Sequence, residues 1–219
     1  MDTTWTPLSR RQIAARIARD IPNGWYVNLG IGVPTLVADE VPKDREVVFH
    51  AENGILGIGP APAEDAVDPW LINAGKQYVT LLPGGAYFHH SDSFAMIRGG
   101  HLDLCVLGAY QVAANGDIAN WATSENDTAP AVGGAMDLSV GAQRVWVAMN
   151  HVTKEGEPRL VGSCSYPLTA QAAVGRIYTD LAVIDITPRG FAVEEMVPGL
   201  TLDRLQQMTG APLHEATPA

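Results

Sequence analysis

The sequence predicts an α/β fold, an open and mostly parallel sheet sandwiched by helices in three layers. Three observations carry this expectation. Short apolar runs such as "LDLCVLGA", "RVWVAMN" and "LAVIDIT" do not alternate, as expected of strands covered on both faces. Segments with helical periodicity and capping residues lie between such runs. Several runs end on glycine-rich stretches, and ligands in open α/β sheets bind beyond the carboxyl ends of strands. At 219 residues with 47% hydrophobic residues, the chain can bury one sizeable core, and residues 1–219 are read as a single domain.

The elements follow in order. "SRRQIAARIARDI" opens with a Ser-x-x-Gln capping box at Ser9 and Gln12 and repeats apolar side chains at Ile13, Ile17 and Ile21, which predicts a helix. "WYVNLGIG" reads as a buried strand running into a glycine turn, and Pro34 suits the first turn of a helix through about Val41. "EVVFH" predicts a second strand and "QYVTLLP" a third. "SDSFAMIRGG" reads as a helix with Ser91 near its N-cap and Gly99 just past its end. "GGAMDLSVGA" predicts a short helix entered through glycines, and "TLDRLQQMTG" a last one with Thr201 as cap and Gly210 as stop. "GPAPAEDAVDP" and "TSENDTAPA" are expected as exposed loops.

Composition excludes several classes of function. Fourteen Lys and Arg against twenty-four Asp and Glu give a net charge of −10, which disfavours nucleic acid, whose affinity rests on phosphate neutralisation. Cys105 and Cys164 lie far apart and form no Cys-x-x-Cys, so neither a disulfide framework nor a zinc site is expected; both are read as reduced core residues. The N-terminal stretch has no apolar targeting core, and no run approaches the ~20 apolar residues of a membrane span. A cytoplasmic protein is expected, with no membrane partner. Only 17% of residues are charged, which suits an oligomer that covers part of its surface.

One carboxylate stands apart. In "FHAENGILGIGP", Glu52 has no charged neighbour before Glu64 and lies two residues past the end of the expected strand "EVVFH". It can be read as a solvated loop residue, a general base, or a nucleophile that attacks an activated acyl group to form an anhydride. Apolar neighbours would strip water from the anion and favour the second or third reading. Glu64 and Asp65 lie in a proline-rich loop and do not make a glycosidase pair with it. The glycine stretches "GIGVP" and "GILGIG" lack the Gly-x-Gly-x-x-Gly of a dinucleotide site, but they let backbone N–H groups approach a ligand. The adjacent His89 and His90 have no third ligand at metal spacing and suit substrate contact or helix entry. Lys76 meets a phosphate or hydrates an edge. Gly133 and Gly134, ahead of a short helix, offer free N–H groups for an oxyanion, or simply begin that helix.

Taken together, "YVNLGIGVPTLVA", "ENGILGIGP", "LINAGKQYVT", "DSFAMIRGGHLDLCVLGA", "GDIANW", "GGAMDLSVGA" and "YPLTAQAAVGRIYTDLAVIDIT" resemble, in this order, the B (β) subunit of family I 3-oxoacid CoA-transferases. The resemblance covers nearly the whole chain. Within the family the bacterial 3-oxoadipate branch is the nearer match, through "LLPGGAYFHHSDSF", "PAVGGAMDL" and "RIYTDLAVIDITP". The acetoacetate branch tends to carry a "PGK…KGMGGAMDL" loop where this sequence has "SENDTAPAVGGAMDL". Two positions depart from the pattern. Ala51 replaces the usual Ser before Glu-Asn-Gly, and the Gly-x-Gly of the oxyanion loop is reduced to Ala131-Val132-Gly133.

The resemblance implies Glu52 as nucleophile in a ping-pong transfer of CoA from succinyl-CoA to 3-oxoadipate, with the Gly133 amide holding the oxyanion. It also implies CoA or substrate contacts at Asn53, Gly54, Lys76, Gly30, Gly32, His89 and His90. No metal and no permanently bound cofactor is implied, coenzyme A thioester being the substrate. The implied partner is a CoA-transferase A subunit in an A2B2 or related assembly. Acetoacetate is the alternative acceptor. A scaffold subunit without catalysis is the alternative of a different class, and the intact Glu52-Asn53-Gly54 argues against it.

Overall fold

The computed structural model describes residues 5–124 and 131–216. Ten strands form one sheet in the order β13-β12-β11-β10-β8-β5-β1-β2-β3-β4. Its centre is parallel: β2 (Val48–Ala51), β1 (Tyr26–Leu29), β5 (Leu104–Leu107), β8 (Val145–Ala148) and β10 (Val174–Tyr178) pair in that way. Antiparallel wings extend it. On one side β3 (Ile55–Ile58) and β4 (Leu81–Tyr87) follow β2, and on the other β11 (Ala182–Thr187) and β12 (Gly190–Met196) follow β10, with β13 (Leu213–Glu215) parallel at the edge. A separate small sheet joins β6 (Gln111–Ala113) to β7 (Ile118–Ala119) and β9 (Leu160–Val161).

The side-chain period of two divides the core into two faces. Leu104 and Val106 of β5, with Trp146 and Ala148 of β8, pack on the side of α1 (Arg10–Asp20), against Ile13 and Ile17. Cys105 and Leu107, with Val145 and Val147, face the other way, toward Ile97 of α3 (His90–Arg98) and Leu138 of α4 (Ala135–Gly141). Both faces are covered, so these strands read as continuous apolar runs. The expected three-layer sandwich is the observed one.

Local chemistry explains the helix boundaries. Ser9 caps α1 through its side chain, which accepts from the Gln12 N–H, and the Gln12 side chain returns to the Ser9 backbone. Pro34 opens a 3₁₀ turn that leads into the short α2 (Val37–Glu40). The expected cap Ser91 is replaced by His89, whose Nδ1 accepts from the Ser91 N–H, while Gly99 closes α3 as expected. Thr201 caps α5 (Leu202–Gln207), whose stop falls at Met208, two residues before Gly210.

The wings depart from the sequence reading. "QYVTLLP" is expected as a strand, but β4 begins only at Leu81 and runs through Pro83, Gly84 and Gly85, with most of its residues exposed. Propensity there gives way to pairing with β3, whose ladder is irregular between Leu56 and Ile58. Cys105 is buried as expected, but Cys164 is only half-buried; both are free thiols. "GPAPAEDAVDP" is an exposed loop holding one 3₁₀ turn. Residues 125–130 of "TSENDTAPA" lie outside the described residues. Among the described residues no helix is long and apolar enough to cross a membrane, and no three His, Cys, Asp or Glu side chains cluster to hold a metal.

Candidate active site

The carboxyl ends of the central parallel strands open into a cavity of about 750 Å³. Gly30 follows β1, Glu52 follows β2, Gly108 follows β5 and Met149 follows β8, and all four are on its wall. The helices change sides of the sheet here. The connection leaving β1 places Val37 of α2 on the α1 face, whereas α3 and α4, around β5, pack on the opposite face. Such a reversal leaves a crevice between neighbouring strand ends, where ligands bind in open α/β sheets.

Glu52 stands at the tip of β2, held by a tight turn. The Gly54 N–H donates to Ala51 O at 3.0 Å, and the Phe88 N–H donates to Gly54 O at 3.0 Å. Gly54 has φ +106°, and a Cβ there would sit 2.2 Å from Phe88 O, so only glycine closes this turn. Glu52 Oε1 lies 3.3 Å from where a Cβ on Gly134 would be, with Phe94 Cζ at 3.2 Å from the same point. The Gly134 backbone therefore lies against the carboxylate and the Phe94 ring together. Burial raises the Glu52 pKa above the ordinary carboxylate range, while its own backbone N–H and His90 draw it back. Its anion is poorly solvated, which favours attack on an acyl carbon.

Directly behind this carboxylate is a buried polar chain that the sequence reading did not single out. Asn28, His50 and Ser93 are at most 2% exposed. Asn28 Nδ2 donates to His50 O at 3.2 Å and sits 3.2 Å from His50 Nδ1, and His50 Nε2 is 2.9 Å from Ser93 Oγ. Ser93 Oγ donates to Ala51 O at 3.2 Å. Burial lowers the His50 pKa to about 4, so the ring is neutral at pH 7. With Nδ1 accepting from Asn28, the ring proton sits on Nε2 and is donated to Ser93, which leaves the serine proton for Ala51 O. Cys105 Sγ, 4.0 Å from Asn28 Oδ1, ends the chain, and its thiol is pushed up by burial and by the charge of Glu52. A signal existed in the sequence: Asn28 and His50 are polar residues inside otherwise apolar strands, and a buried polar side chain must find partners.

The cavity gathers Glu52, Gly30, His90, Gly133 and Gly134, with Phe94 and Arg159, neither of which the sequence reading named. His90 is exposed at the rim and packs its ring 4.8 Å from that of Phe94. The Gly30 N–H donates to Val106 O at 2.8 Å and so belongs to the sheet. Other expected contacts fall off the wall. Gly32 receives the Thr35 hydroxyl at 2.7 Å on its carbonyl, Asn53 Nδ2 donates to Ile72 O at 2.7 Å, and His89 caps α3. Lys76 is exposed in the 73–77 turn with φ +62°, beside the cavity wall at Ala74 but not on it. His151, a second buried histidine, lies between Thr179 Oγ1 at 3.1 Å and Thr209 Oγ1 at 2.8 Å, as a structural residue.

A three-layer sheet with a poorly solvated carboxylate at a central strand end, facing a large cavity beside a glycine pair, is an architecture for acyl or thioester exchange. The chain belongs to the coenzyme A transferase family, whose model matches residues 10–207. It is 60% identical over 210 residues to the B subunit of the 3-oxoadipate CoA-transferase of Acinetobacter baylyi, covering 96% of this chain and 97% of that one. It is 47% identical over 202 residues to the B subunit of the succinyl-CoA:3-ketoacid coenzyme A transferase of Helicobacter pylori, covering 92% and 97%. Among solved structures, the apoenzyme of an acyl-CoA transferase (YdiF) from Escherichia coli O157:H7 superposes with a TM-score of 0.72 at 19% identity. That match covers 98% of this chain and 43% of the other, so the chain spans less than half of that protein, and it speaks for the fold.

Proposed function

We propose that this chain is the B-type subunit of a CoA-transferase that moves CoA from succinyl-CoA to 3-oxoadipate, with Glu52 as the nucleophile. The observation that carries this is the 60% identity, over nearly the full length of both chains, to the B subunit of a 3-oxoadipate CoA-transferase. The lower identity to the succinyl-CoA:3-ketoacid enzyme keeps acetoacetate as the competing acceptor. Residues 1–219 act in this reading as one domain, in the cytoplasm, beside an A subunit in an A2B2 or related assembly.

The chemistry follows from the position of Glu52. Its carboxylate attacks the thioester carbonyl of succinyl-CoA, the C–S bond breaks, and CoA thiolate leaves behind a succinyl-glutamyl anhydride. The thiolate then attacks the Glu52 carbonyl, succinate departs with the bridging oxygen, and a glutamyl-CoA thioester remains. A 3-oxoadipate carboxylate attacks that thioester and expels the thiolate, which takes the acyl carbon of the new anhydride and regenerates the Glu52 carboxylate. No ATP or metal enters the balance. Each addition builds charge on a carbonyl oxygen, and the Gly133 amide, at φ +55° on the cavity wall, is the assigned donor, with the Gly134 backbone lying against the carboxylate. Binding energy from the CoA tail, to which Gly30 and His90 on the cavity wall and Lys76 beside it are the candidate contributors, holds the reacting centre.

The test is intact-protein mass spectrometry of this chain, assembled with its partner subunit, after incubation with succinyl-CoA. A CoA-sized adduct on Glu52 that disappears on addition of 3-oxoadipate is expected. A folded complex that gains no adduct would rule out Glu52 as the nucleophile and bring the scaffold reading forward.

A further inference from the structure

Among the described residues, Arg159 and Arg10 are the two cations on the cavity wall, and Arg159 is the one with a buried, unpartnered donor. Its Nε is buried and has no hydrogen-bond partner, and among the described residues its guanidinium enters no ion pair. Arg16, the other arginine with a buried nitrogen lacking a partner, already pairs with Glu195. The acid nearest in effect to Arg159 is Asp180, whose Oδ1 accepts from the His151 N–H at 2.7 Å and so is already engaged. A guanidinium Nε shielded from water with no acceptor is costly unless a ligand completes it.

Its placement is fixed by the fold. The Arg159 N–H donates to His151 O at 3.2 Å, just beyond β8, and Arg159 O accepts from the Val112 N–H of β6 at 3.0 Å. Glu52 lies beyond β2, and the sheet order β2-β1-β5-β8 separates the two strand ends by three strand steps, or roughly 14 Å. Both residues line the same cavity. A small acid with a single carboxylate reacting at Glu52 has nothing to offer Arg159, whereas a dicarboxylate places a second anion further along the cavity.

Resting on the proposed function, we infer that Arg159 receives the distal carboxylate of dicarboxylate acyl groups, and that it selects succinyl and 3-oxoadipyl groups over 3-oxoacids with one carboxylate. The planar guanidinium suits this task because it can offer two parallel N–H donors to one carboxylate. Asn150 and Tyr110, on the same wall, are polar neighbours for a carboxylate held there.

In a ping-pong scheme kcat/KM for each substrate reports only its own half-reaction, so donor and acceptor can be read apart. The experiment measures kcat/KM for 3-oxoadipate and for acetoacetate with the assembled wild-type complex and with Arg159→Gln and Arg159→Lys. Arg159→Gln should lower kcat/KM for 3-oxoadipate by about 10- to 100-fold. The value for acetoacetate should stay within about twofold, and Arg159→Lys should lose less because it keeps the charge. The ratio of the two values does not depend on the fraction of folded enzyme. An unchanged ratio in Arg159→Gln, through equal losses or through none, would overturn the assignment. A wild-type complex that turns over neither acid would instead remove the proposed function on which it rests.

Discussion

His50 and His151 are the same device in two places. Each is a buried imidazole held at both nitrogens by neutral polar partners, and burial lowers each pKa to about 4. They differ in what lies at the end of their contacts. The His50 chain ends, through Ser93, on the carbonyl of Ala51, the residue that carries Glu52. The His151 contacts end on Thr179 and Thr209. One hydroxyl donates to the unprotonated ring nitrogen, and the other accepts from the ring N–H and is free to donate to its nearby carbonyl, Ala182 O or Leu205 O. The ring thus ties the β10–β11 turn to the end of α5. A neutral histidine is a rigid spacer with a hydrogen-bond site at each end. The fold uses one to aim a carboxylate and the other to fasten distant segments, so damage to the first should appear in the rate and damage to the second only in stability.

The largest effect is expected at the group the first chain aims. Glu52→Gln should lower turnover of the assembled complex by on the order of 10⁴-fold or more, since an amide cannot form the anhydride. It should also raise the melting temperature at neutral pH, because a raised carboxylate pKa means the folded state disfavours the charge that Gln removes. A variant that stayed active would break the comparison at its root.

A paired measurement sharpens it. Ser93→Ala leaves His50 Nε2 and Ala51 O without their partner, and should cost ~1–3 kcal/mol of stability. It should also lower kcat by about 10- to 100-fold through misplacement of Glu52. Thr209→Val, which strips the hydroxyl from His151, should cost a similar ~1–3 kcal/mol with kcat per assembled site within about twofold of wild type. Denaturant titration and steady-state kinetics on the two variants decide; equal losses of kcat would erase the distinction.

The smallest effect is the pH dependence the two histidines share. Their folded values near 4 lie below the ordinary 6.5, so between these values the unfolded chain binds more protons. Stability from both is complete above about pH 6.5 and is lost as pH falls toward 4. Glu52 works in the opposite sense: its raised value favours the folded state at low pH, and that contribution is lost as pH rises through it. Denaturant midpoints for wild type should therefore fall between pH 7 and 4.5, and less steeply in a His151→Gln variant that still folds.

Much of the centre of the molecule was legible in the sequence because there local and global signals agree. Apolar runs, caps and glycine stops all pointed to strands β1, β2, β5 and β8 and to α1, α3 and α5. The antiparallel wings were less legible. β12 mixes "GFAV" with two glutamates, and β4 runs through Pro83 and two glycines, so neither carries a strand pattern, and only pairing with a neighbour makes them strands. At the site, the isolation of Glu52 was visible in the local sequence. Arg159 was not, because its meaning depends on an Nε buried without a partner, a property of the packed chain that no spacing along it encodes.

The irregular strand β4 has a consequence for solubility. It is the last strand of a ten-stranded sheet, and an open edge normally offers another molecule a row of donors and acceptors to extend. Pro83 removes one donor from the middle of that row, and Gly84, at φ +87°, bends the backbone away from extended pairing. A stray strand docking on this edge could not continue past its midpoint, which protects the chain from growing into a cross-β aggregate while it waits for its proper neighbours.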